Sequence, residues 1–73
     1  MRRRIPLAVV DSVLQNPQQK LTEHGDVLCY QSKIEINQKQ YLVRVMVNET
    51  LTPARVVTVY RTSKIRKYWK TTS

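Results

Sequence analysis

Towards its end the chain gathers Arg61, Lys64, Arg66, Lys67 and Lys70 and interleaves them with Tyr60, Tyr68 and Trp69. Lysine and arginine neutralise phosphates and release their counterions, aromatic faces can stack on bases, and a phenol can move a proton. Arg44 stands far earlier, in the middle of the alternating run Tyr-Leu-Val-Arg-Val-Met-Val. Alternation puts it on the same side of a sheet as Tyr60. A fixed guanidinium beside a phenol suits a phosphate or the charge that develops on one. Metal-free phosphodiester cleavage needs a cation for the pentavalent phosphorane and a group to move protons. Arg44, Tyr60 and Lys64 can fill those roles, with Arg2, Arg3, Arg4, Lys33, Arg61, Arg66, Lys67 and Lys70 gripping the backbone. A structural reading competes with this one. Arg44 could lie flat over Met46 and Leu42 with a wet head, and Tyr68 and Trp69 could tuck against the core.

The charge balance names the class of partner. The chain has 13 Lys and Arg against 5 Asp and Glu, a formal net charge of +8. Arg2, Arg3 and Arg4 open it, six cations lie from Arg55 onward, and no acid follows Glu49. Such a distribution favours a polyanion such as RNA or the ribosome. No convincing basic amphipathic helix points to an anionic membrane. With one cysteine, Cys29, and one histidine, His24, neither a disulfide nor a multi-ligand metal site is expected. Cys29 reads as a small buried hydrophobe and His24 as a surface loop residue. No cofactor is implied. The absence of a long apolar run or a signal-type segment makes a cytoplasmic location the expectation.

Seventy-three residues make one domain, 1–73, with a thin core; a chain of this size buries only about 60% of the surface it would otherwise expose. Monomer and homodimer both remain open. Residues 5–15 read as one helix, with Leu7, Val10, Val13 and Leu14 in a stripe flanked by Ile5 and Val9, stopped by Pro17. Strands are expected at 20–23, 27–36, 39–48 and 54–62. His24-Gly25-Asp26 reads as a turn and Asn37-Gln38 as a two-residue hairpin loop. That loop sets Ile34 opposite Tyr41, Ser32 opposite Val43, Tyr30 opposite Val45 and Leu28 opposite Val47. The last strand is expected to place Val57 beside Val45 and Val59 beside Val43. One face is then apolar and takes the helix. The other carries Gln31, Lys33, Leu42, Arg44, Met46, Val56, Thr58 and Tyr60 and stays bare, with Arg44 flanked by Gln31 and Thr58. Residues 63–70 form a basic C-terminal segment in which a short helix capped by Thr62 or Ser63 fits. The fold class is α+β: a short N-terminal helix on one face of a three- to four-stranded antiparallel sheet.

Three blocks carry a resemblance: Arg-Arg-Ile-Pro through Asn-Pro, Tyr-Leu-Val-Arg-Val-Met-Val, and Val-Val-Thr-Val-Tyr-Arg-Thr-Ser-Lys-Ile-Arg-Lys-Tyr-Trp. Together they resemble a small bacterial family, the domain of unknown function numbered four-two-five-eight, especially its cyanobacterial branch. That family is similar to the RelE-like, or barnase–EndoU–colicin–RelE, fold. The resemblance implies helices on one face of an antiparallel sheet and an RNA site on or beside the other. It further implies a metal-independent endoribonuclease toxin, or its relative, with an acidic antitoxin as protein partner. On that basis Arg44, Tyr60, Arg61 and Lys64 would form the RNA site. Family members commonly begin with a further helix bearing a His-Ala and an Arg, and no histidine of this sequence occupies that position. A module that binds nucleic acid or the ribosome without cleaving it is one alternative, and a protein-interaction domain whose basic surface receives an acidic, antitoxin-like partner is the other.

Overall fold

The computed structural model describes residues 5–71. Arg2, Arg3 and Arg4, expected to grip RNA, lie outside the described residues. The chain folds as α1 (Leu7–Gln15), β1 (Gln19–His24), β2 (Val27–Ile36), β3 (Lys39–Asn48), β4 (Arg55–Thr62) and α2 (Ile65–Tyr68). The strands form one antiparallel sheet in the order β1-β2-β3-β4. This is the α+β class.

Pro6 precedes α1 rather than sitting in its first turn, and its carbonyl accepts the N–H groups of Val9 and Val10. Pro17 ends the helix early by pushing Asn16 to extended angles, φ −141°. Three turns of helix are marginal alone, so α1 depends on its stripe. Val13 is fully buried against Val43, Val45 and Val47, with Ile5, Val9, Val10 and Leu14 around it. Leu7, counted in that stripe, is instead 75% exposed.

The β2–β3 hairpin is as its turn dictates. Asn37 and Gln38 both take positive φ, 52° and 67°, the twist that matches two right-handed strands. The pairs Ile34–Tyr41, Ser32–Val43, Tyr30–Val45 and Leu28–Val47 follow. Between β1 and β2 the turn narrows to Gly25-Asp26, with Gly25 at φ 56°, leaving His24 as the last, exposed residue of β1.

Pairing of β4 departs from the expected register. Val59 lies opposite Val45 and Arg61 opposite Val43, and Tyr60, not Thr58, faces Arg44. One residue of the shift is already present at the start of β4, where Arg55 pairs with Asn48, and a bulge adds the second: Thr58 pairs with Met46 and Val56 with Val47, so Val57 has no partner. Beyond it the shift is two residues, which keeps Thr58 and Tyr60 on the face assigned to them. Before it the parity flips. Val56 turns to the helix side, and Val57, assigned to the core, is 57% exposed.

Candidate nucleic-acid interface

The face away from α1 is not bare. After β4 the chain turns at Ser63, where the Thr62 hydroxyl accepts the Lys64 N–H at 3.1 Å. It forms the single turn α2 and then runs back across the sheet as far as β1. Neither Thr62 nor Ser63 caps α2: its N-cap is Lys64, and no side chain caps it. Gln31 donates to the Tyr68 carbonyl at 3.2 Å and to Gln19 Oε1 at 2.7 Å. Gln19 in turn exchanges bonds with both backbone groups of Lys70. Residues 63–71 therefore form a strap tied to β1 and β2 by two glutamines.

Arg44 lies beneath that strap and is 5% exposed. Its Nε donates to Gln31 Oε1 at 2.8 Å, its Nη1 to the Tyr60 hydroxyl at 2.7 Å, and its Nη2 meets Glu23 Oε1 at 3.4 Å. The Tyr68 ring lies over the guanidinium at 4.5 Å and the Tyr60 ring at 5.8 Å. Neither the wet-headed arginine nor the open phosphate ligand describes this. Burial disfavours the charge, yet the Tyr60 hydroxyl and nearby acidic groups outweigh burial and hold the guanidinium's pKa above its ordinary value. Cys29, on the same face, is fully buried, and burial raises its thiol above the usual range.

Next to this buried network, where β3 runs past the end of β4, a groove of about 470 Å³ opens. Four cations line it, Lys39, Arg61, Lys64 and Lys67, together with Tyr41, Tyr60 and Tyr68, and its lining contains no acid. Arg61 pairs with Val43, so its side chain leaves the sheet on the helix side and reaches the groove across Tyr41, 4.4 Å from the ring centroid. Lys39 also lies over Tyr41, at 5.5 Å, and Lys67 over Tyr68, at 5.4 Å. The tyrosine rings thus act as platforms on which cations rest. Arg61 Nε is buried and has no hydrogen-bond partner.

The candidate residues sort into three groups. Tyr60, Arg61, Lys64 and Lys67 come together in the groove. Arg44 sits one layer below, joined to it through Tyr60. Lys33 lies on the other flank of the strap, 4.2 Å over the Trp69 ring, so Trp69 is half-buried and occupied rather than offered to a base. Arg66 and Lys70 are exposed and do not line the groove. Lys39, Tyr41, Glu23 and Gln19 were not foreseen. Lys39 and Tyr41 flank the hairpin turn that fixes them, while the reach of Glu23 to Arg44 depends on an irregularity between Thr22 and His24. Among the described residues no three His, Cys, Asp or Glu side chains gather where a metal could be held, and no helix is long and apolar enough to cross a membrane. Comparison of the chain with protein-family models, curated proteins and solved structures found no match.

Proposed function

We propose that the protein binds RNA through the groove between β3, the end of β4 and the strap, holding backbone phosphates on Lys39, Arg61, Lys64 and Lys67. The observation that carries this reading is the convergence of four cations on one acid-free concavity. Positioned charge of this kind recognises phosphate with little regard to base identity. Hydroxyls of Tyr41, Thr62 and Ser63 line the same space and suit a ribose 2′-OH, the group that separates RNA from DNA. The RelE-like resemblance points to the face on which Tyr60 and the strap lie, whereas Arg61 and Tyr41 enter the groove from the helix side. Binding rather than cleavage is favoured because Arg44, the cation proposed for the phosphorane, already has its three nitrogens engaged by Gln31, Tyr60 and Glu23.

The test is a titration of single-stranded and structured RNA at several salt concentrations in EDTA. Intact RNA with a salt-steep shift is expected. Lys64→Ala and Lys67→Ala should each weaken binding of every sequence alike and lower the salt slope by about 0.7. Defined fragments in EDTA would restore the ribonuclease reading, and no binding at low salt would end both.

A further inference from the structure

We infer that the groove selects the phosphorylated end of its ligand, a phosphate monoester or phosphate chain on a terminal ribose, over the diester links inside a strand. The inference rests on the reading of the groove as a phosphate site and names what that site prefers. Lys39 comes from β3, Arg61 from β4, and Lys64 and Lys67 from the strap. The cations therefore stand around one concavity and not along one element. Among the described residues they do not continue as a track: Arg66 and Lys70 lie outside the lining, and Lys33 rests on Trp69. A row of cations would match the spaced single charges of a nucleic-acid backbone. Cations gathered about one space match a group that concentrates its charge. An internal diester brings one negative charge, with a base and a sugar before the next. A monoester carries about −1.5 to −2 at pH 7 on three free oxygens, and a phosphate chain carries more in little more space.

The aromatic lining gives a base no ready platform. Arg61 and Lys39 lie over the Tyr41 ring at 4.4 and 5.5 Å, Arg44 and Lys67 over Tyr68 at 4.5 and 5.4 Å, and Arg44 over Tyr60 at 5.8 Å. A base would have to displace these cations in order to stack. The polar groups favour an oxygen-rich occupant instead. The Tyr60 hydroxyl accepts from Arg44 Nη1 at 2.7 Å, and among the described residues its own proton meets no acceptor. It is therefore left to donate into the groove that Tyr60 lines. The Thr62 hydroxyl is in the same state, since it accepts the Lys64 N–H at 3.1 Å. Arg44 thus acts on the groove through Tyr60, setting a neutral donor beside the four cations. Phosphate oxygens accept from all of these groups, and a terminal phosphate offers one more free oxygen than a diester.

The test is calorimetric titration of the full chain, in EDTA, with short oligouridylates of one length. They carry a 5′-triphosphate, a 5′-monophosphate or a 5′-hydroxyl, or are closed into a circle; uridine triphosphate alone is the fifth ligand. The triphosphate end is expected to bind at least about tenfold more tightly than the hydroxyl end and the circle, the worth of one charge-assisted hydrogen bond, with the monophosphate between them. Lys39→Ala should lower that ratio several-fold. Arg55→Ala, which removes an equal charge from an exposed position outside the groove, should leave it unchanged. Uridine triphosphate binding as tightly as the triphosphate oligomer would make free nucleotides the source of the phosphate chain, and weaker binding would make strand ends the source; either supports the site. Equal affinity for all four oligomers would overturn the inference and leave the groove a backbone site for RNA. An equal loss of the ratio in Arg55→Ala would also overturn it, by reducing the preference to net charge. Binding of uridine triphosphate with no oligomer bound would sink the RNA reading and keep the terminal-phosphate site, and binding of none would end both.

Discussion

Arg44 sets the electrostatic character of the second sheet face, and it does so from below the surface. Its guanidinium joins β1, β2 and β4 through Glu23, Gln31 and Tyr60 and supports the Tyr68 ring from beneath. Truncation would strip Gln31 Oε1 and the Tyr60 hydroxyl of their donor and leave a void under the strap. Glu23 is partly solvated, so the ion pair itself adds little. Arg44→Ala is expected to lower stability by about 2–4 kcal/mol, seen as a fall in the urea midpoint. An unchanged midpoint with lost RNA binding would return Arg44 to the ligand-binding role. Cys29 gives a second expectation at this scale. Its raised thiol pKa means that the folded state keeps a proton which the unfolded state loses first. Stability from this group is therefore intact below the unfolded value and declines as pH rises above it, near 9.0. Iodoacetamide at pH 8 should leave the native thiol unmodified and react with it in urea. Alternation alone placed Arg44 beside Gln31 and on the side of Tyr60, and residue type, not alternation, read Cys29 as buried. It could not show that the head of Arg44 is covered, because the covering residues lie some twenty positions away in a segment without period.

The strap is the element that turns a sheet face into a groove. Lys64, Lys67 and Tyr68 enter the lining from it, and its attachment runs from Lys70 through Gln19 and Gln31 to Arg44. One turn of helix has no stability of its own, so its position depends on those bonds and on Tyr68 against Arg44. Tyr68→Ala should therefore cost about 1–2 kcal/mol, shift Trp69 emission to the red as its ring enters water, and weaken RNA binding about tenfold with the sheet intact. If Trp69 emission and binding are unmoved, the strap does not hold the groove's lysines in place. Elements with local signals were readable from the residues. Pro17 stops α1, Asn37-Gln38 forces the hairpin and its register, and the valines of β3 alternate. β4 was readable as a strand and α2 as a short helix, but the register of β4 and the path of the strap had no such signal. An unpaired Val57 between Val56 and Thr58 looks like any other residue of a β-branched run, and Gln19 gives no sign that it will bond to Lys70, 51 positions away.

At the scale of the molecule, charge works against the fold and for the proposed activity. The five acids cannot neutralise the thirteen cations, and two of the acids are drawn into pairs, Glu49 with Lys20 and Glu23 with Arg44. The remaining positive charge repels itself in a domain whose buried apolar centre is little more than Val13, Val43, Val45 and Val47. Added salt screens that repulsion and should raise the melting temperature. The same salt competes with the groove for phosphate. If its four cations each engage one phosphate of a single strand, affinity should fall roughly fifty-fold between 50 and 200 mM salt. Stability and binding are thus expected to move in opposite directions over one salt series, and both are measured on the same sample by thermal melting and by anisotropy of a labelled RNA. A parallel fall of both would mean that salt disrupts pairs the fold needs, with Arg44–Glu23 first among them. Binding that ignores salt would place recognition on contacts other than Lys39, Arg61, Lys64 and Lys67.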